Sequence, residues 1–238
     1  MLTNRKALLS LFIFGCLSLS ISESWANVTA SFKVSKKAEK VDQRRTVSTG
    51  SRSSCQPSVK PGTLELLVPE QEVYHTTSEE TPTMYVYSHK AQPVNLEFVL
   101  QNLSETEPVY RKQISIDSTG ATAISLPDKI QLLEEEKYTW NIVIPCYNNL
   151  NNNQTVLSAG IKYSKPSDNL DIEISNAKSI SEKIQIYSQN EIWYQTIDLA
   201  IKQREKLGYT NHLYSFNQFF NNEPEKVKKT KAPYRVFD

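Results

Sequence analysis

Histidine, cysteine and paired carboxylates carry most catalytic and metal chemistry, and in this chain they are few and dispersed. His75, His89 and His212 share no metal-ligand spacing. There is no His-Glu-x-x-His, no Gly-x-Ser-x-Gly and no phosphate-cradling glycine loop, so no metal and no cofactor is expected. Glu134-Glu135-Glu136 offers neighbouring carboxylates, the residue type needed for general acid–base work or for a hard cation. A charge run directly before a strand is more simply a solvated turn. Trp193 and Tyr194 form the other pair with chemical potential. Exposed, they would make an aromatic platform for a glycan or a partner helix. Trp193 also falls on an apolar helical stripe, and that position favours packing.

Arg44, Arg45 and Arg52 are the basic residues best placed to meet an anionic ligand, because charge is unevenly distributed. Between Asn27 and Arg52 seven basic residues face two acidic ones, a balance of +5. From Pro224 onward five face two, or +3. The intervening body holds 13 basic and 21 acidic residues, or −8. Two basic arms on an acidic body suit contact with anionic polymer or lipid headgroups. They equally suit arms that are solvated or folded back on the body, and this plainer reading is preferred. Near-neutrality overall argues against a nucleic-acid partner.

The compartment is written at the N-terminus. Arg5 and Lys6 precede an apolar run from Ala7 to Ile21, and Ser24-Trp25-Ala26 has small residues at both recognition positions. This predicts a signal peptide over residues 1–26, cut between Ala26 and Asn27, and an exported protein of periplasm or extracellular space. Ser18, Ser20, Ser22 and Glu23 interrupt the run before it could span a bilayer. Ile13-Phe14-Gly15-Cys16 offers a lipoprotein alternative at Cys16, weakened by bulky Phe14 and by apolar residues continuing past the cysteine. No later stretch is apolar enough to form a transmembrane segment. Cys55 and Cys146 then remain, an even pair that reads as one disulfide in an oxidising compartment. Closing a loop of that length would constrain the unfolded chain by about 4–5 kcal/mol in the entropic model. Asn27, Asn102 and Asn153 lie in glycosylation-type triplets, read here as chance matches.

The elements that must hold these residues follow from periodicity. Residues 27–60 carry few large apolar side chains and read as a flexible basic lead-in. Residues 61–165 alternate like strands. The candidates are Leu64–Val68, Met84–Tyr87, Val94–Leu100, Val109–Ile116, Thr122–Leu126, Tyr138–Pro145 and Val156–Tyr163. Ser118-Thr119-Gly120 suggests a hairpin between two of them. About seven strands without intervening helices predict a mainly β protein, an antiparallel Ig-like β-sandwich with Trp140 in its core.

Residues 178–221 switch to a helical period, forming a helical hairpin with a short cap helix. Ser179 and Glu182 fit a capping box, with Ile180, Ile184 and Tyr187 on one face. A second helix runs from about Glu191 to Lys206 with a stripe of Trp193, Ile197, Ala200 and Ile201. A short aromatic helix is expected over Asn211 to Phe220, and residues 222–238 read as a basic disordered tail.

An ordered set of short motifs runs through these elements. Gly50, Ser51, Arg52 and Cys55 precede Leu66 to Pro69. Glu97-Phe98-Val99-Leu100 follows, then Tyr138, Trp140 and Cys146 along one strand, and Ile192-Trp193-Tyr194 at a helix start. In this order the chain resembles the cyanobacterial domain-of-unknown-function family 928 from roughly Arg44 to Phe220. The resemblance implies an exported protein without an assigned activity. That family tends to carry Gly before Ile-Trp-Tyr and Asp after it, where this chain has Glu191 and Gln195. Tyr187 to Ala200 also resembles half of a tetratricopeptide repeat, too little for an array.

These readings converge on a non-catalytic, exported cell-envelope protein used for binding or assembly, with an envelope protein or anionic polymer as partner. Two alternatives are an envelope enzyme acting on glycan or peptide, with His75 or Glu134–Glu136 as candidates, and a charge-based binder of anionic polymer through the arms.

Overall fold

Apolar residues at every second position fix which strand face meets the core. In the computed structural model, which describes residues 38–41, 59–60, 62–69, 72–145 and 155–206, this alternation builds eight strands in two sheets, followed by three helices. The strands are β1 Leu64–Leu66, β2 Tyr74–Thr77, β3 Thr83–Ser88, β4 Val94–Asn102, β5 Tyr110–Ile116, β6 Gly120–Ser125, β7 Lys137–Ile144 and β8 Thr155–Tyr163. The helices are α1 Asp168–Asn176, α2 Ile180–Gln189 and α3 Trp193–Lys206. The smaller sheet has the order β1-β3-β6 and the larger β2-β8-β7-β4-β5. Among the described residues no helix is long and apolar enough to cross a membrane.

One core cluster joins both sheets and α3. Met84 and Val86 from β3, Ile124 from β6, Phe98 and Leu100 from β4, Trp140 and Ile142 from β7, and Trp193 and Ile197 from α3 all belong to it. Register places Phe98 opposite Ile142 and Leu100 opposite Trp140, so the two largest rings are diagonal neighbours on one face. The Phe98 and Trp140 rings lie 6.4 Å apart.

Three sequence expectations change. The sheets are not wholly antiparallel, because β2 pairs in parallel with β8. Tyr-His-Thr-Thr is too short and too polar to announce a strand. The turn at Ser118–Gly120 does not close a hairpin: β5 pairs with β4, whereas β6 pairs with β3 in the other sheet. A turn signal marks where a chain bends, and core burial decides which partner it then meets. Residues 38–41, which composition assigns to the flexible lead-in, run beside β2. Tyr74 N–H donates to Glu39 O at 2.9 Å and Val41 N–H to Glu72 O at 2.8 Å. Val59 is buried in the core.

The helical part begins earlier than periodicity predicts. Ser167 caps α1 by accepting from Leu170 N–H, with Asp168 and Asp171 in its first turn, favourable at the positive end of the helix dipole. Ser179 caps α2 by accepting from Glu182 N–H at 3.1 Å. Glu182 reaches back to Lys178 N–H at 2.7 Å, one residue beyond the expected capping-box partner. Ile180, expected on the buried stripe, is 37% exposed, while Ile184 is buried.

α2 ends in a Schellman motif. Ile192 N–H donates to Tyr187 O at 2.9 Å and Glu191 N–H to Ser188 O at 3.2 Å. Glu191 has φ +58°, the left-handed region that favours glycine, the residue the family resemblance expects there. Ile192 then packs with Ile186 and Leu170 in a small separate cluster, so the motif turns the chain directly into α3. α3 therefore starts at Trp193 rather than Glu191.

Candidate functional site

Each residue singled out by its chemistry can now be placed. His75, on β2, is buried with its ring 6.4 Å from that of Trp193. His89, beyond β3, is half-exposed and its Nε2 lies 3.0 Å from Glu65 Oε2. The two histidines thus sit with different sheets and do not form a common site. Glu134 is exposed, and its backbone bridges Tyr163. Glu135, at φ +62°, pairs with Lys162. Hydrogen bonds from Lys162 and Ser164 hold its carboxyl below the ordinary carboxylate range. The run is a solvated turn. Asn102 is buried, and its Oδ1 accepts from Ser104 N–H at 2.8 Å. Cys16, Ala26, Asn27, Arg44, Arg45, Arg52, Cys55, Cys146, Asn153, His212 and the expected helix from Asn211 to Phe220 lie outside the described residues.

Trp193 and Tyr194 are not a surface platform. Both are fully buried, and their polar atoms are spent inside the fold. Trp193 Nε1 donates to Leu67 O at 2.9 Å. Tyr194 Oη accepts from Trp140 Nε1 at 2.8 Å and donates to Gly160 O at 3.1 Å. Burial pushes the Tyr194 phenol far above its usual value, against a smaller opposing effect of the Trp140 hydrogen bond. Gln195 completes the seam, accepting from Ser78 N–H at 2.9 Å and donating to Thr77 Oγ1 at 3.0 Å. Tyr85 Oη donates to Asp198 at 2.8 Å. These bonds fasten α3 to both sheets. Their chemistry is structural: buried donors and acceptors find partners at fixed angles and so fix the helix in position.

A recess lies between α1 and α2. Glu173, Asn176, Glu182, Gln185, Ile186 and Gln189 line a cleft of about 360 Å³. Its walls carry two carboxylates and three amides over one isoleucine, a set that accepts and donates hydrogen bonds around an apolar floor. The same two helices expose large apolar side chains, Ile172 at 58% and Ile180 at 37%. Other carboxylates lie near two tyrosines. Tyr163 is raised by burial and then by Glu80, Glu134 and Asp171. Tyr187 is raised by burial and then by Glu79 and Asp171, with a Ser78 hydrogen bond opposing. Among the described residues no group of three or more His, Cys, Asp or Glu is arranged to hold a metal ion.

Sequence reasoning missed this cleft because it missed α1. Leu170, Ile172 and Ile174 recur at every second position, which imitates a strand. The overlooked signal was Ser167 followed by Asp168 and Asp171, a cap with an acidic first turn.

The family described as Domain of Unknown Function (DUF928) matches residues 47–218. The chain belongs to that family. The match takes in every strand and helix described above. None of the curated proteins searched matches the chain. Among solved structures, a family 76 glycoside hydrolase from a bovine Bacteroides thetaiotaomicron strain is 17% identical with a TM-score of 0.25. That likeness covers 42% of this chain and only 20% of the hydrolase. The ASH/PapD-like domain of human CEP192 (PapD-like domain 7) is 12% identical with a TM-score of 0.25, covering 49% of this chain and 95% of that one. Scores this low transfer neither fold nor activity.

Proposed function

We propose that this DUF928 protein is a non-catalytic binding or assembly module of the cell envelope, and that it docks its partner through α1 and α2. One observation carries the reading: the polar cleft lies on the same two helices that expose Ile172 and Ile180. Exposed apolar residues beside hydrogen-bonding groups suit a polypeptide partner that brings donors and apolar side chains. The cleft presents amides and carboxylates to such a segment.

The rest of the reading concerns setting. Residues 1–26 act as a signal peptide, and the chain from Asn27 works in the periplasm or outside the cell. Cys55 and Cys146 are joined by a disulfide. The two sheets act as an Ig-like sandwich, with α2 and α3 as a helical hairpin set against it.

The test is capture from envelope extract with the intact chain and with an Ile172→Glu/Gln185→Lys variant. The proposal expects a defined protein retained at high salt by the intact chain and lost by the variant. Equal capture by both chains would remove the helices from the interface. Binding that disappears with salt for both chains would instead favour the basic arms. Turnover of a glycan or peptide would overturn the non-catalytic reading.

A further inference from the structure

The larger sheet carries a second apolar surface that the core does not use. Val99, Val143 and Val156 form their own buried cluster. Val99 lies between core residues Phe98 and Leu100, and Val143 between Ile142 and Ile144. Alternation therefore turns all three valines to the face opposite the core. Register sets Val143 beside Val156, and Asn141 beside Val99. Each valine is nevertheless only 7% exposed. Asn141 is buried among them, and its Oδ1 has no hydrogen-bond partner among the described residues. The described helices pack elsewhere, with α3 against β2 and β3.

The chain N-terminal to β1 arrives at this face. Glu39 pairs with Lys137 of β7, and the Lys137 ammonium stands 5.9 Å from the centre of the Tyr74 ring. Val41 Cγ2 lies 2.6 Å from the point a β-carbon on Gly160 would occupy. Gly160 falls between core residues Ala159 and Ile161, so that point is also on the outer face. Just before this contact the sequence alternates strictly. Val28, Ala30, Phe32 and Val34 are apolar, and Thr29, Ser31, Lys33 and Ser35 are polar. This is the pattern of a strand with one buried side. Residues 28–37 reach about 33 Å when extended. Four interstrand spacings across the five-stranded sheet measure about 19 Å.

We infer that residues 28–34 dock on the outer face of the five-stranded sheet, with Val28, Ala30, Phe32 and Val34 laid over Val99, Val143 and Val156. The basic lead-in then becomes a covering layer that shows Lys33 to solvent and seals the valines. One competing cover within the chain, the aromatic stretch from Tyr214 to Phe220, follows a helix tied to the core side through Trp193 and Tyr194.

Methyl and aromatic NOE spectroscopy on the full chain tests the inference. Cross-peaks between the Phe32 ring and the methyls of Val99, Val143 or Val156 are expected. They should persist when labelled protein is diluted with unlabelled protein. Cross-peaks that arise only between differently labelled molecules would make a second copy the occupant and overturn the inference. So would cross-peaks from Phe216 or Phe219 in place of Phe32, or none at all. In a second measurement, Phe32→Ser should raise broadening of the three valines by a soluble paramagnetic probe severalfold, whereas Lys33→Ser should not. Equal effects from the two substitutions would also count against the docked strand.

Discussion

Tyr194→Phe removes one oxygen and should reveal how α3 is fastened to the sheets. The hydroxyl accepts from Trp140 Nε1 at 2.8 Å and donates to Gly160 O at 3.1 Å. Trp140 is completely buried, so its indole N–H would be left without partner or water. An orphaned buried donor costs about 1–3 kcal/mol, and about 2 kcal/mol is expected at pH 8. The pH dependence is more discriminating. In the folded protein burial raises the Tyr194 phenol well above 10.0, whereas in the unfolded chain it titrates near that value. Above pH 10 the unfolded wild-type chain loses this proton and the folded one keeps it. Wild-type stability therefore falls with rising pH, by about 1.4 kcal/mol per pH unit from this group. The Phe variant has no such group, and every other tyrosine is common to both chains. The stability gap should thus shrink by about 1.4 kcal/mol between pH 8 and pH 11. Urea unfolding followed by tryptophan fluorescence reads both numbers, with slopes showing that the denatured states are comparable. A gap that is absent at pH 8, or that stays constant to pH 11, would refute the buried Trp140–Tyr194–Gly160 chain.

Two further substitutions test local geometry. Gly160→Ala would place a β-carbon 2.6 Å from Val41 Cγ2, 2.8 Å from Tyr74 Cδ1 and 3.0 Å from Val73 O. Overpacking of this kind should cost about 1–3 kcal/mol in urea unfolding, and a neutral outcome would mean that residues 38–41 do not press on β8. Glu191→Gly should act in the opposite direction. Left-handed backbone costs a side chain about 1–2 kcal/mol, part of which glycine returns as unfolded-state entropy. A net gain of about 0.5–1 kcal/mol, or roughly 2 °C in Tm, is expected, and a loss would show that Glu191 makes a compensating contact.

Legibility in the sequence depended on whether local pattern and final burial agree. β4, β7 and β8 were readable because their alternating residues face a single core. Ser179 was readable as a cap because its bond to Glu182 N–H spans only three residues. β2 was not, because its four residues are positioned by partners far along the chain. Tyr74 aligns with Gly160, and Thr77 meets Gln195. The same holds for the candidate site. Asn176, Gln185 and Gln189 look like solvated helix faces in sequence, and become a cleft only when α1 lies against α2. The buried seam on α3 was half visible. The stripe through Trp193 and Ile197 showed that the helix packs, but no spacing rule reveals that Tyr194 would serve Trp140 or that Gln195 would serve Ser78.

The three helices differ in how firmly they are held, and that difference bears on where a partner would act. α3 belongs to the main core and is tied by hydrogen bonds to Leu67, Thr77, Ser78, Gly160 and the Trp140 indole. α1 contributes one buried side chain, Leu170, to a small cluster with Ile186 and Ile192. The opening free energy of a segment follows its buried contacts, so α1 can move at much lower cost than α3. A partner seated on Ile172 and the cleft would then work against the Leu170 cluster rather than the main core. Ile192 links the two regimes, since it packs in that cluster while its backbone bridges Thr76 on β2. The proposed docking helix α1 is thus adaptable, and the α3 seam is rigid.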